Sequence, residues 1–388
     1  MTTTKFDVVM LSTAHQATDH RIFHREARTL VEGGLSVCVA ARHPVSEVVD
    51  GIFIEALPTA KCRLKRLLLG WTAMKAALRL RGGVYIFHDP ELFVVGLLLR
   101  LLGKEVIYDA RENLPMVILQ KDWIPAVLRY PLSPALYVAE WVGARLLSGI
   151  TVATPVIQKR FPQSRTVLVR NYPTAEGRRT LADGPPLRSR KNIVIYAGGL
   201  TRIRGIREVV QSFEGISDAE LWLVGDFYTT QFKNELLGWA PPNVRWLGSM
   251  PHREVLKLYQ NAKIGVGLLH PAPNHRNSLP VKFFEYLAAG LPIIASNFPE
   301  FRELVEGCGV QVDPHDVLAI RAAIKQLLSD PAGLELMSAR ARARVVSSFS
   351  WEPEGRRLLE LCSRLLSRRS AATHRTSTPT ANRKERAS

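Results

Sequence analysis

Residues 274–297 read NHRNSLPVKFFEYLAAGLPIIASN, in the order loop, helix, turn, strand. Asn277 or Ser278 supplies a helix-capping side chain, and Pro280 is tolerated in a first turn, where backbone N–H groups have no intrahelical partner. Val281, Phe284, Leu287 and Ala288 fall at helical spacing and predict one apolar face. Gly290 suits a helix end with positive φ, Pro292 prevents continuation, and PIIAS follows as a buried strand. On the other face Lys282 and Glu285 stand one turn apart near the helix N-terminus, an end that attracts anions. A carboxylate there suits the two hydroxyls of a ribose; a lysine with open N–H groups suits phosphate. Together they point to a nucleoside diphosphate. The plainer alternative is a solvated i,i+3 ion pair.

Outward from this stretch, strands and helices alternate. In the first half FDVVML, SVCVAAR, IFIEALP, VYIFHD, EVIYDAR, ITVAT and TVLVRN read as strands, with helices between most of them. In the second half NIVIYAGG, LWLVGD, VRWLG, IGVGLL, PIIAS and GVQV do the same, and helices close the chain from about residue 316 to 366. Apolar strands alternating with helices predict an α/β protein with parallel sheets covered on both faces. In such sheets ligands gather at the carboxyl ends of strands. Residues 172–191, rich in Pro, Gly and mixed charge, read as a linker. The boundaries expected are therefore 1–171, a linker at 172–191, and 192–350, with a helix over 351–367 and a disordered basic tail over 368–388. A cleft between the halves is the expected place for substrate.

The 388 residues suffice for two domains, and 46% hydrophobic content fills their cores. No apolar run reaches the ~18 residues of a membrane span. The opening MTTTKFDVVML enters a strand directly and lacks a signal-peptide pattern, so a cytoplasmic location is expected. Cys38, Cys62, Cys308 and Cys362 are scattered; they read as reduced thiols and not as a metal site. The net charge is +17, from 52 basic and 35 acidic residues. The tail from residue 368 carries six of the basic residues and one acidic residue. No nucleic-acid-reading motif accompanies the charge, so no nucleic-acid partner is expected. The stretch 61–81 holds seven basic residues and no acidic one, with leucines and Trp71. It reads either as a helix lying on an anionic membrane surface or as a domain helix with a basic solvent face.

Several other segments carry candidate chemistry. YAGGLTRIRG (196–205) is a strand running into Gly198 and Gly199, then a basic loop, then a helix. Glycines allow a backbone to approach phosphate, and Arg202 and Arg204 can neutralise it. A tight turn with solvated arginines is the alternative. In IFHDPELF (86–93), His88 can hydrogen-bond a sugar hydroxyl or stand as a satisfied strand-end histidine, and Asp89 is placed to cap the helix that Pro90 begins. Asp109, Arg111 and Glu112 follow another strand in YDARENLP. His15, Asp19 and Arg21 follow the first strand; Asp19 is either a site residue or a helix cap with Arg21 as its ion-pair partner. Gly225 and Asp226 end LWLVGD, where a base or ribose could bind.

The stretch 274–297 resembles the donor-binding motif of retaining GT-B glycosyltransferases of family 4 (glycosyl transferases group 1). Those enzymes place two glutamates seven residues apart; Glu285 matches the second, which holds the ribose, and Asn277 stands in place of the first. YAGGLTRIRG resembles the family segment G-R-L-x-x-x-K-G, with Arg204 at the lysine and Gly199 at the arginine. His88-Asp89-Pro90 resembles the segment over the transferred sugar. Asp109, Arg111 and Glu112 resemble its strand-end motif, with Arg111 where a histidine is usual. His15, Asp19 and Arg21 resemble H-x-x-x-D-x-R-I-F near the start of family members. The resemblance spans roughly residues 5–367 and implies a GT-B fold, two Rossmann-like domains with the final helix crossing back to the first. It implies a metal-independent sugar transferase acting on a nucleotide-diphosphate sugar and a glycan or lipid-linked acceptor, without a further cofactor. Catalytic roles would fall to His88, Arg204 and Lys282. Donor contacts would come from Gly198, Gly199, Arg202, Arg204, Gly225, Asp226, Asn277, Ser278, Leu279, Lys282 and Glu285. His15, Asp19, Arg21, Asp109, Arg111 and Glu112 would lie on the acceptor side. No Asp-x-Asp pair offers a metal site. A sugar-nucleotide epimerase and a catalytically silent nucleotide-sugar-binding protein share the fold and donor site, and remain as alternatives.

Overall fold

The computed structural model describes residues 6–59, 63–119, 124–272, 275 and 279–376. It divides into two compact units. One comprises residues up to Arg170 and from Pro353 onward; the other runs from Asn171 to Glu352.

The first unit is built on an eight-stranded sheet. Its strands are β1 (Val8–Gln16), β2 (Val37–Arg42), β3 (Glu47–Val49), β4 (Ile52–Leu57), β5 (Val84–Phe87), β6 (Glu105–Ala110), β7 (Gly149–Val152) and β8 (Thr166–Leu168), in the order β3-β4-β2-β1-β5-β6-β7-β8. All neighbours are parallel except the β3–β4 hairpin. That hairpin was not anticipated, yet its signal is present: Asp50-Gly51 both take positive φ, 51° and 77°, as a tight hairpin turn requires. The chain leaves β1 toward β2 on one side and returns to β5 on the other, so β1 and β5 flank a topological switch point.

The second unit holds a six-stranded, all-parallel sheet in the order β11-β10-β9-β12-β13-β14. These strands are β9 (Ile193–Ala197), β10 (Glu220–Val224), β11 (Val244–Gly248), β12 (Ile264–Gly267), β13 (Ile293–Ser296) and β14 (Gly309–Val312). Here the switch point lies between β9 and β12. Helix Val281–Ala288 buries nearly its whole circumference, Phe283 through Ala288, and not only the predicted stripe. β12 makes the room: a side chain at Gly265 would strike the Tyr286 ring, and one at Gly267 the Phe283 ring. Gly290 ends the helix at φ 71°. The residue that opens it is Pro280, in extended conformation and with no side-chain cap. Asn277 and Ser278, the expected caps, lie outside the described residues.

Residues 172–191 are not a free connector. Ala175–Ala182 is helical, Leu181 and Leu187 are buried in the second core, and the Arg190 guanidinium donates to the carbonyls of Pro185, Tyr259, Ala262 and Ala289. Burial and neighbouring Arg342 lower the Arg190 pKa to about 10. The last helix runs Trp351–Thr376, so residues 368–376, expected in a disordered tail, are helical. Glu352 accepts from Ala175 N and Arg178 in the second unit. Glu354 accepts from Arg170 in the first, where Arg369 also donates to the carbonyls of Gly82 and Gly83. Cys38, Cys308 and Cys362 are buried free thiols.

Candidate functional site

In the second unit the ends of β9, β10 and β12 and the start of helix Val281–Ala288 converge. Gly198 has φ 135° and Gly225 φ 128°. A Cβ at Gly225 would lie 2.2 Å from the Gly198 carbonyl oxygen, so the two loops touch through bare backbone. A Cβ at Gly198 would lie 3.0 Å from Lys282 Nζ and 3.4 Å from Arg204 Nη1, so two cations meet over one glycine. The Arg204 guanidinium also reaches the Gly199 carbonyl at 3.4 Å. Lys282 Nζ stands 3.6 Å from the centre of the Tyr196 ring, and the Tyr196 hydroxyl donates to the Gly199 carbonyl at 3.1 Å. Burial, with Arg204 beside it, holds the Lys282 amine well below the usual lysine range. An anion placed here would restore its charge.

Glu285 is buried, 7% exposed. It faces His252 Nε2 at 2.9 Å and accepts from the Tyr259 hydroxyl at 3.4 Å. The solvated-pair alternative therefore does not describe it. Gly199 carries the exposed Tyr228 ring across its face, and Asp226 is exposed while its carbonyl accepts from Leu200 N. Leu279 packs against the core. Arg202 is not brought to the cluster. Its guanidinium pairs with Glu235 and lies 4.8 Å from the Phe232 ring centre. The one-turn geometry of Arg202–Arg204 explains the split: neighbouring arginines of a tight turn face apart, and only Arg204 faces Gly198. Sequence reading missed Tyr196, Tyr228, His252 and Tyr259, because strand alternation reports burial and not which aromatic reaches a loop.

In the first unit a charge cluster sits at the carboxyl ends of β1, β5 and β6. Asp109 is fully buried and takes four contacts: Arg21 Nη2 at 3.0 Å, Thr151 Oγ1 at 2.9 Å, His88 Nδ1 at 3.0 Å and Arg111 Nε at 2.7 Å. Burial would raise its pKa, but Arg21, Arg111 and His88 hold it well below the usual carboxylate range. Arg21 contacts Glu26 at 2.6 Å and donates to the Val169 carbonyl at 3.2 Å. Of the two readings left open for Asp19, the ion pair with Arg21 does not form: the buried Arg21 reaches across the sheet to Asp109, while Asp19 receives the N–H groups of Arg21 and Ile22 at the helix start. Burial works against ionised Asp19, but His15, Arg111 and the Ile22 N–H outweigh it and hold its carboxyl well below the usual range. His15 bridges Asp19 and Asp89 at 3.5 Å each. Asp89 does not cap the helix after it. Its carboxylate turns back to Ser12 Oγ and to the Thr13 and Ala14 N–H groups, because β5 lies beside β1 and those donors lack strand partners. His88 Nε2 is buried with no hydrogen-bond partner. Glu112 is exposed and joins no ion pair among the described residues.

Two doubly wound parallel-sheet units, with a glycine-lined basic site at the switch point of the second, define a protein of the GT-B glycosyltransferase fold. Within that class, residues 191–330 match the glycosyl transferases group 1 family. It is 31% identical over 144 residues to O-antigen chain mannosyltransferase B of Escherichia coli, covering 37% of this chain. The chain spans only 34% of the length of that relative. Across nearly the whole chain the fold is similar to sucrose-phosphate synthase from Thermosynechococcus elongatus, with a TM-score of 0.70, 20% identity, and 95% and 100% of the two chains covered. It is also similar to Anabaena HepE in complex with UDP and glucose, with a TM-score of 0.68, 14% identity, and 92% and 99% covered.

Proposed function

We propose that this chain is a retaining glycosyltransferase that moves a sugar from a nucleotide-diphosphate sugar to a hydroxyl of a glycan or lipid-linked acceptor. The observation that carries the reading is the meeting of Lys282 Nζ and Arg204 over the bare backbone of Gly198. A pyrophosphate fits such a cradle: two cations take its charge and glycine lets its oxygens approach the chain. Glu285, fixed by His252 and Tyr259, then offers its carboxylate oxygens to the ribose hydroxyls. Anabaena HepE, which has a similar fold, is in complex with UDP and glucose, and that supports a nucleotide-sugar donor here.

In this reading Arg204 and Lys282 stabilise the charge that grows on the leaving diphosphate, the dominant electrostatic contribution, in the role a metal ion fills elsewhere. The acceptor attacks from the side the diphosphate leaves, and a phosphate oxygen takes its proton. His88 offers Nε2 to a sugar hydroxyl, which would satisfy a buried ring nitrogen. A lipid-linked acceptor suits the surface of the first unit: Leu68, Trp71 and Leu78 of helix Arg63–Leu80 are exposed, at 66%, 64% and 42%, beside exposed Lys75. No helix among the described residues is long and apolar enough to cross a membrane.

A thermal-shift panel of UDP, GDP, ADP and dTDP tests the donor site, with Glu285→Ala and Arg204→Ala alongside. One diphosphate should stabilise the wild type and lose its effect in both variants. No shift with any diphosphate in folded protein would overturn the assignment. With the base known, donor conversion without any acceptor would identify an epimerase, and binding without turnover a silent binder.

A further inference from the structure

A second cluster in the C-terminal unit is not used by this reading. Glu208 comes from helix Ile206–Ser212, His270 follows β12, and His315 follows β14. One ligand atom from each lies within 4.8 Å of the other two. Glu208 Oε2 and His270 Nε2 stand 3.3 Å apart as an ion pair, and both atoms are shut off from solvent. The rings of His270 and His315 lie 4.1 Å apart, tilted by 42°.

We infer that Glu208, His270 and His315 form a binding site for a transition-metal cation of the Zn2+ type. Two imidazoles and one carboxylate are a borderline donor set that suits Zn2+ and Ni2+ and disfavours Mg2+. Zn–N and Zn–O bonds of roughly 2.0–2.2 Å place two ligand atoms of a tetrahedron about 3.3 Å apart, the separation seen between Glu208 and His270. The third ligand sits on a surface residue that can close by a side-chain rotation. His315 and Pro271 also line an open cavity of about 460 Å3, which gives an ion a path in and a place for a water as fourth ligand. A bound ion would tie together the end of β12, the turn after β14 and the helix that follows Arg204 and Gly205. It would thereby brace the basic site without contributing to the transfer chemistry.

The test uses the full chain stripped with chelator. Zn2+, Ni2+ and Mg2+ are titrated by calorimetry and by thermal unfolding. One equivalent of Zn2+ should bind and raise the unfolding temperature, Ni2+ should act likewise, and Mg2+ should not. His315→Ala, on the surface, should keep its fold and lose at least the ~10-fold in affinity that even an outer-shell partner is worth. Glu208→Gln should do the same. His275→Ala and His374→Ala should bind as wild type. Absence of Zn2+ binding, or affinity unchanged in His315→Ala and Glu208→Gln, would overturn the site.

Discussion

Replacing Lys282 by methionine should make the unliganded protein more stable and the liganded protein weaker. The amine is half-buried against Tyr196 with Arg204 close by, and its pKa is held down by that burial. Between the lowered pKa and the unfolded value near 10.5 the folded chain binds fewer protons than the unfolded chain. Stability from this group therefore rises with pH across that window, and below it the charged lysine costs stability. Methionine keeps the stem and removes the cost. The variant forfeits a cation–π contact worth roughly 0.5–1 kcal/mol, against a penalty of several kcal/mol for taking an ammonium out of water. A net gain on the order of 1 kcal/mol would raise the unfolding temperature by about 2–4 °C in a unit of this size. Diphosphate binding loses a charge-assisted hydrogen bond of about 1.5–3 kcal/mol, or about 10–150-fold in affinity. In the wild type, bound diphosphate draws a proton onto Lys282, so affinity should fall as pH rises through the window; in the variant that slope should vanish. Thermal unfolding with and without the stabilising diphosphate, at several pH values, measures both effects. A variant that is less stable unliganded and binds diphosphate as tightly as wild type would refute the reasoning.

Four further outcomes are expected. Gly225→Ala sets a Cβ 2.2 Å from the Gly198 carbonyl at φ 128°, and strain of at least roughly 1–3 kcal/mol should appear in urea unfolding together with weaker diphosphate binding. Arg21→Met leaves Asp109 and Glu26 buried without their shared cation and should cost about 3–5 kcal/mol. Asp109 contributes its stability above the unfolded carboxylate value and loses it as pH falls through the depressed folded value, so Asp109→Asn should be most damaging near neutral pH and approach wild type in acid. Leu68→Asp with Trp71→Asp should abolish flotation with anionic vesicles while leaving diphosphate thermal shifts intact; unchanged flotation would remove the membrane surface from the proposal.

The amino-acid sequence alone determined the alternation of apolar strands and helices, because strand burial on both faces writes itself as continuous Val and Ile runs such as IVIYA and PIIAS. It also marked Gly198, Gly225 and Gly290, since left-handed or crowded backbone admits little else, and it marked Lys282, Arg204 and Glu285 as charges beside a helix start. Tertiary structure alone decided how those charges are used. Arg202 and Arg204 are two residues apart and equal in sequence, but the turn sends one to Glu235 and the other to Gly198. Glu285 became a buried, oriented carboxylate only because His252 and Tyr259 arrive from another helix. Arg21 finds Asp109, 88 positions away, through the order in which β1, β5 and β6 pair. Local propensity is set by neighbours within a few residues, whereas a side chain's partner is set by strand order, and that order is a property of the assembled sheet.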